Sequence, residues 1–128
     1  MNVAFAVIRS FERLGLRGAP TVLGWLSRTP LSGRIATVRL QGGQSISFPA
    51  FDPYWARHFY AGVPYEPDVE IIFRRFAAGR TLIDCGANIG YWSVRARELG
   101  FSDAIAIEAN ELLIPLLSRN HEIGRAHV

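Results

Sequence analysis

The segment Thr81-Leu82-Ile83-Asp84-Cys85-Gly86-Ala87-Asn88-Ile89-Gly90 constrains the fold of this chain more than any other part. Eighteen residues after Gly90 comes the acidic end of a second apolar run, Ala104-Ile105-Ala106-Ile107-Glu108. Each run has strand length. Between them Ile89, Trp92, Ala96 and Leu99 recur at the spacing of one helical face, with Arg95, Arg97 and Glu98 expected to face away. Strand, glycine-flanked loop, helix and strand make a βαβ unit, whose two strands run parallel. Glu108 then lands beside the loop that follows the first strand, in the crevice outside the carboxyl ends of the strands where open α/β sheets bind adenosine-bearing ligands.

The residue types in that crevice fit a cofactor. Gly86 lacks a Cβ, so backbone can approach a ligand closely, and Gly90 suits either tight packing of the helix on the sheet or an unusual dihedral. The N-terminus of the helix presents unpaired N–H groups to a carboxylate or phosphate. Glu108 stands where such an acid accepts hydrogen bonds from ribose hydroxyls. A dinucleotide fingerprint needs G-x-G-x-x-G, and here Asn88 replaces its second glycine, while Asp84 would repel a pyrophosphate. S-adenosylmethionine, with a sulfonium, an ammonium and a ribose, is the better chemical match to one acid at each strand end. A nicotinamide-dependent oxidoreductase half-domain is the alternative that Asn88 and Asp84 weaken. A non-enzymatic fragment that binds a partner or a membrane surface is a third.

Asp84-Cys85-Gly86-Ala87-Asn88-Ile89-Gly90-Tyr91, Ala106-Ile107-Glu108-Ala109-Asn110 and Leu116-Leu117-Ser118-Arg119-Asn120 together resemble the opening of the FkbM-type S-adenosylmethionine-dependent methyltransferases. The family pattern runs D-x-G-A-N-x-G-Y, A-x-E-P-N and L-x-x-N, and Tyr65-Glu66 resembles its Y-E lead-in. Ala109 departs from it, standing where the family has proline. The resemblance covers residues 65–121. It implies a Rossmann-like α/β methyltransferase fold and a cofactor held by Asp84, Gly86, Ala87, Asn88, Gly90, Tyr91, Glu108, Ala109 and Asn110. It also implies methyl transfer to a small-molecule or glycan hydroxyl, of a sugar or natural-product scaffold. No residue stands out as the catalytic base.

A doubly wound sheet takes about five or six strands, and only two parallel strands follow residue 80, so the methyltransferase domain is expected to be incomplete. The expected organisation is an N-terminal helical and hairpin extension over 1–64, the first half of the cofactor-binding domain over 65–121, and a non-natural tail over 122–128. The tail, Glu122-Ile123-Gly124-Arg125-Ala126-His127-Val128, reads as a translated sequencing-library adapter whose next triplet in that frame is a stop. Ile105 and Ile107 lack expected neighbours, so the chain alone is expected to be inert and prone to aggregate.

All fourteen basic residues are arginine, scattered and offset by eleven acids, which reads as GC-rich coding; a net charge of +3 is too small and dispersed for a nucleic-acid partner. The single cysteine excludes an intrachain disulfide and suits a reducing, cytoplasmic compartment. At the strand's end, Cys85 is expected to be a small buried hydrophobe. His58 and His121 lack metal-site spacing, so no metal is expected.

Val3, Ala6, Val7, Ser10, Phe11 and Leu14 share one helical face, and a second short helix is expected over 22–26. Packing on the domain or on each other is favoured over membrane contact, because Arg9 and Arg13 make a weakly cationic polar face. From 34 to 48 the period changes to two, with Gly42-Gly43 as a turn, which predicts a β-hairpin ended by Pro49 and Pro53. Phe51, Tyr54, Trp55, Phe59 and Tyr60 read as a core or docking surface in preference to a sugar or nucleobase pocket. Val69, Ile72, Phe73 and Phe76 predict a helix over 68–76 laid against the sheet. Asn120 is expected to cap the helix that follows Glu108.

Overall fold

The computed structural model describes residues 33–125 together with Thr21, Trp25 and Arg28. The helix expected over 3–14 lies outside the described residues, as does the one over 22–26 except for Trp25, which is helical. The described chain is mixed α/β, with four helices and two two-stranded sheets. In order these are β1 (Ile35–Arg39), β2 (Ser45–Pro49), α1 (Pro53–Phe59), α2 (Pro67–Phe76), β3 (Thr81–Cys85), α3 (Tyr91–Leu99), β4 (Asp103–Ile107) and α4 (Ile114–Arg125). Among the described residues, no helix is long and apolar enough to cross a membrane.

The chain divides into two compact units, one of residues 1–36 and 48–65, the other of 37–47 and 66–128. The hairpin predicted from the alternation is present as β1 and β2. Its register is antiparallel: the Leu40 N–H donates to Gln44 O at 2.7 Å and the Ala50 N–H to Arg34 O at 2.8 Å. The side-chain hydroxyls of Thr37 and Ser47 meet across the same register at 2.8 Å.

In the first unit Phe48, Ala50, Phe51, Trp55, Ala56 and Tyr60 are buried. The Phe48 ring lies 4.6 Å from that of Phe59 and 5.3 Å from that of Tyr60, and Trp55 stacks on Phe59 at 5.5 Å. The aromatic-rich stretch is therefore largely core. It also contains α1, which the sequence reading had not separated from the end of the hairpin. Asp52 starts this helix by accepting the Tyr54 N–H at 2.8 Å and the Trp55 N–H at 3.3 Å, and Pro53 occupies a first-turn position where no N–H is needed.

The second unit is built on β3 and β4, which pair in parallel with Leu82 beside Ala104, Asp84 beside Ala106 and Cys85 beside Ile107. Side chains alternate across a strand, so Leu82, Asp84, Ala104 and Ala106 share one face. Helix α3 packs on both strands and Leu82 is buried. The opposite face is open: Ile83 is 61% exposed, Ile105 52% and Ile107 51%. Cys85 belongs to that face and is exposed, which corrects the expectation of a buried hydrophobe; its odd place in the alternation turns it away from α3.

Helix α2 differs from expectation in what it packs on. It lies against α3, not laid on the sheet by an apolar stripe, and none of its residues is buried; Ile71, Ile72 and Phe76 are exposed. Its inward side is charged. Arg95, expected to face away, is buried, and its guanidinium donates to Glu70 Oε2 at 2.7 Å and Glu98 Oε2 at 2.7 Å. Arg74 bridges the same two carboxylates. Phe73 adds edge contacts to Trp92 at 5.2 Å and Phe101 at 5.4 Å. The helical period alone assigned Arg95 to solvent because an arginine carries no mark of an acidic partner 25 residues away.

The hydrogen bond from Arg95 holds the Glu70 carboxyl down at about 2, against its usual 4.5. Glu70 therefore contributes stability that is present above pH 4.5 and is lost as pH falls toward 2. Urea denaturation at several pH values should show this loss, and it should be smaller in Arg95→Ala, where only Arg74 still pairs with Glu70. At neutral pH Arg95→Ala should cost about 2–3 kcal/mol, because it removes the buried guanidinium on which Glu70 and Glu98 converge and leaves both to Arg74 alone, whereas exposed Arg97→Ala should cost less than about 0.5 kcal/mol.

Candidate functional site

The loop between β3 and α3 turns through three left-handed residues, Gly86 at φ 81°, Asn88 at φ 54° and Gly90 at φ 86°. Asparagine is among the few residues with a side chain that visit this region readily. The turn is tied to the end of β4: the Gly86 and Ala87 N–H groups both donate to Ile107 O, at 2.8 and 3.0 Å. The Gly90 N–H closes it onto Ala87 O at 2.7 Å.

The two glycines serve different needs. A Cβ built on Gly86 meets nothing within 4 Å, so the backbone there borders open space. One built on Gly90 would come within 2.7 Å of Leu117 Cδ1. Gly90 thus combines an unusual dihedral with close packing, but the packing is against α4 and not the sheet.

Asp84, near the end of β3, accepts from the Ser93 N–H at 3.2 Å and the Ser93 hydroxyl at 2.5 Å, both on Oδ2. Ser93 lies in the first turn of α3, whose N-cap, Gly90, has no side chain to offer. The strand acid therefore caps the helix from outside, and its charge lies at the positive end of the helix dipole. Among the described residues no hydrogen bond falls on Oδ1 of Asp84.

Glu108 follows β4 and faces the same loop. Its Oε2 accepts the Asn88 N–H at 2.7 Å and its Oε1 the Asn110 N–H at 2.8 Å. These backbone bonds, Asn110 first and Asn88 second, hold its carboxyl below the usual carboxylate range. It is ionised at neutral pH. Asn110 then folds the chain toward α4, with its Oδ1 accepting the Leu112 N–H at 3.1 Å, while Ala109 is exposed.

Asp84, Gly86, Ala87, Asn88, Gly90, Glu108 and Asn110 are thus joined by short backbone and side-chain bonds around one turn. Tyr91 stands apart. Its hydroxyl accepts from Arg95 Nη1 at 3.0 Å, the Arg95 guanidinium lies 5.3 Å from its ring centroid, and burial pushes its pKa up.

Of the residues bearing on this turn, Ser93 escaped the sequence reading and Asn120 has a role other than the one expected. Ser93 bears on Asp84, and its signal was available as a hydroxyl in the third helical position. Asn120 does not cap a helix. It lies inside α4, fully buried, and bonds to Ser47 and to Ile89 O. Its position six residues after the first of α4 argued against a cap only once the helix bounds were known.

No family model matches the chain, and neither curated proteins nor solved structures yield a match.

Substitution separates the two glycines. Gly90→Ala should lose about 2 kcal/mol or more, from the left-handed dihedral together with the Leu117 clash. Gly86→Ala should lose only the dihedral cost of about 1 kcal/mol. Urea denaturation of the two variants checks the order.

Proposed function

We propose that this chain carries the first part of a Rossmann-like S-adenosylmethionine-binding fold and that the protein is an S-adenosylmethionine-dependent methyltransferase. One arrangement supports the reading. Two carboxylates stand at the carboxyl ends of adjacent parallel strands, Glu108 oriented by the Asn88 and Asn110 N–H groups and Asp84 by Ser93 in the first turn of α3, with the glycine turn between them. Open α/β sheets bind ligands in this crevice. The residues fit the cofactor: the backbone at Gly86 borders open space, and Glu108, kept ionised, has lone pairs on both oxygens beyond those its N–H donors use.

Glu108 would hold the ribose hydroxyls, Asp84 would attract the cationic amino-acid head, and the Gly86-Ala87-Asn88 backbone would line the approach. When bound, S-adenosylmethionine supplies an electrophilic methyl group on its sulfonium. The chain's own contribution is orientation, since aligning donor and acceptor supplies most of the rate for such a displacement. A hydroxyl of a sugar or natural-product scaffold as acceptor rests on the resemblance to FkbM-type enzymes.

Titration calorimetry with S-adenosylhomocysteine and with NAD tests the assignment. The former should bind more tightly, and tighter NAD binding overturns the reading in favour of an oxidoreductase. Glu108→Ala should weaken S-adenosylhomocysteine binding by about 1–3 kcal/mol, roughly 5- to 150-fold. A folded variant with unchanged affinity would remove Glu108 from the site.

A further inference from the structure

We infer that Asn120 is a positioning residue for the glycine loop, its side-chain amide locking the Ile89–Gly90 peptide to strand β2. Asn120 is fully buried and its amide makes three bonds. Oδ1 accepts the Ser47 N–H at 2.7 Å, while Nδ2 donates to Ser47 O at 2.8 Å and to Ile89 O at 2.7 Å. Both amide hydrogens and the carbonyl oxygen are thereby used.

The Ser47 half of this arrangement follows from the hairpin register. Leu40 with Gln44, and Arg34 with Ala50, are hydrogen-bonded steps. Bonded and non-bonded pairs alternate along an antiparallel ladder, so the Thr37–Ser47 pair falls on a non-bonded step and the Ser47 N–H and C=O point away from β1. Asn120 satisfies both, as a further strand would.

The Ile89 half bears on the candidate site. The Ile89 carbonyl and the Gly90 N–H belong to one peptide group. Asn120 holds its oxygen and Ala87 O holds its hydrogen. A peptide plane bonded at both ends cannot rotate, and it lies between Asn88, whose N–H orients Glu108, and Gly90, which opens α3. Leu117, one turn before Asn120, closes on Gly90 from the same helix. Helix α4 is thus the wall that sets the loop's shape, through a polar contact at Ile89 and an apolar one at Gly90. Only the effect on ligand affinity rests on the S-adenosylmethionine reading; the effect on the loop does not.

The test compares Asn120→Ala with Leu99→Ala, a buried α3 position outside the loop that serves as a destabilised control. Residue-resolved amide exchange on the unliganded protein reads the loop. In Asn120→Ala the Asn88 and Gly90 amides should exchange at least tenfold faster relative to the Ala77 amide, which is bonded to Phe73 O, whereas Leu99→Ala should keep these ratios within threefold. S-adenosylhomocysteine affinity should fall at least tenfold in Asn120→Ala and less than threefold in Leu99→Ala. Equal exchange ratios in the two variants overturn the inference. Altered loop exchange in a protein whose wild type fails to bind S-adenosylhomocysteine upholds the inference and removes the cofactor reading.

Should Asn120→Ala not fold, Asn120→Asp provides the same information through pH. Its protonated carboxyl donates to one carbonyl, whereas its ionised form faces both Ser47 O and Ile89 O with no donor. Loop exchange at Gly90, corrected for intrinsic rate, should rise as pH increases from 5.5 to 8.5 in this variant and not in wild type. A flat profile matching wild type overturns the inference.

Discussion

The second unit depends on how the end of β4 grips the loop that leaves β3. Ile107 O takes two consecutive N–H groups, from Gly86 and Ala87, and Glu108 takes a third, from Asn88. Parallel strands joined by a helix have no hairpin to set their register, so these bonds carry that information where the chain first departs from the sheet. With Asp84 fastened to the first turn of α3, strand, loop and helix become one rigid corner. Both acids that suggest a cofactor are also structural members of it. Replacing either therefore changes the shape of the turn along with its charge, which is why affinity and stability need separate measurement.

The sequence made the βαβ unit legible because three independent signals agree: apolar runs of strand length, the helical period, and acids at fixed distances from the glycines. The hairpin was equally legible from its period of two and the Gly42-Gly43 turn. Other features were hidden by rules that are correct only on average. A charged residue on a helix is usually solvated, yet Arg95 is buried because Glu70 and Glu98 converge on it. An asparagine near a helix is usually a cap, yet Asn120 serves a strand distant in the chain. For Asn120 the deciding partner is far away in sequence, and for Arg95 one of two is, Glu98 lying only three residues on, so no local pattern carries the whole of either arrangement. Helix α1 was missed for the opposite reason: Asp52-Pro53 is a local start signal that also reads as the end of a strand.

The buried polar groups and the open apolar surface are two sides of one packing problem. A parallel pair is ordinarily covered on both faces. Here α3 covers one, and the other leaves Ile83, Ile105 and Ile107 toward solvent. Much of what fixes the unit's geometry is therefore directional bonding, from Asn120, Asp84, Glu108 and Arg95, and not the bulk of a two-sided core. Directional bonds specify one arrangement more sharply than apolar contact does, and they fail abruptly when a partner is removed.

The seam between α2 and α3 has a thermal consequence. The cost of stripping water from ionic groups falls on warming, whereas the stabilisation from buried apolar area levels off. Joined chiefly through Arg95, Arg74, Glu70 and Glu98, this seam strengthens relative to the apolar contacts on Leu82 as temperature rises. On warming, α2 should therefore stay held to α3 more firmly than apolar contact alone would hold it.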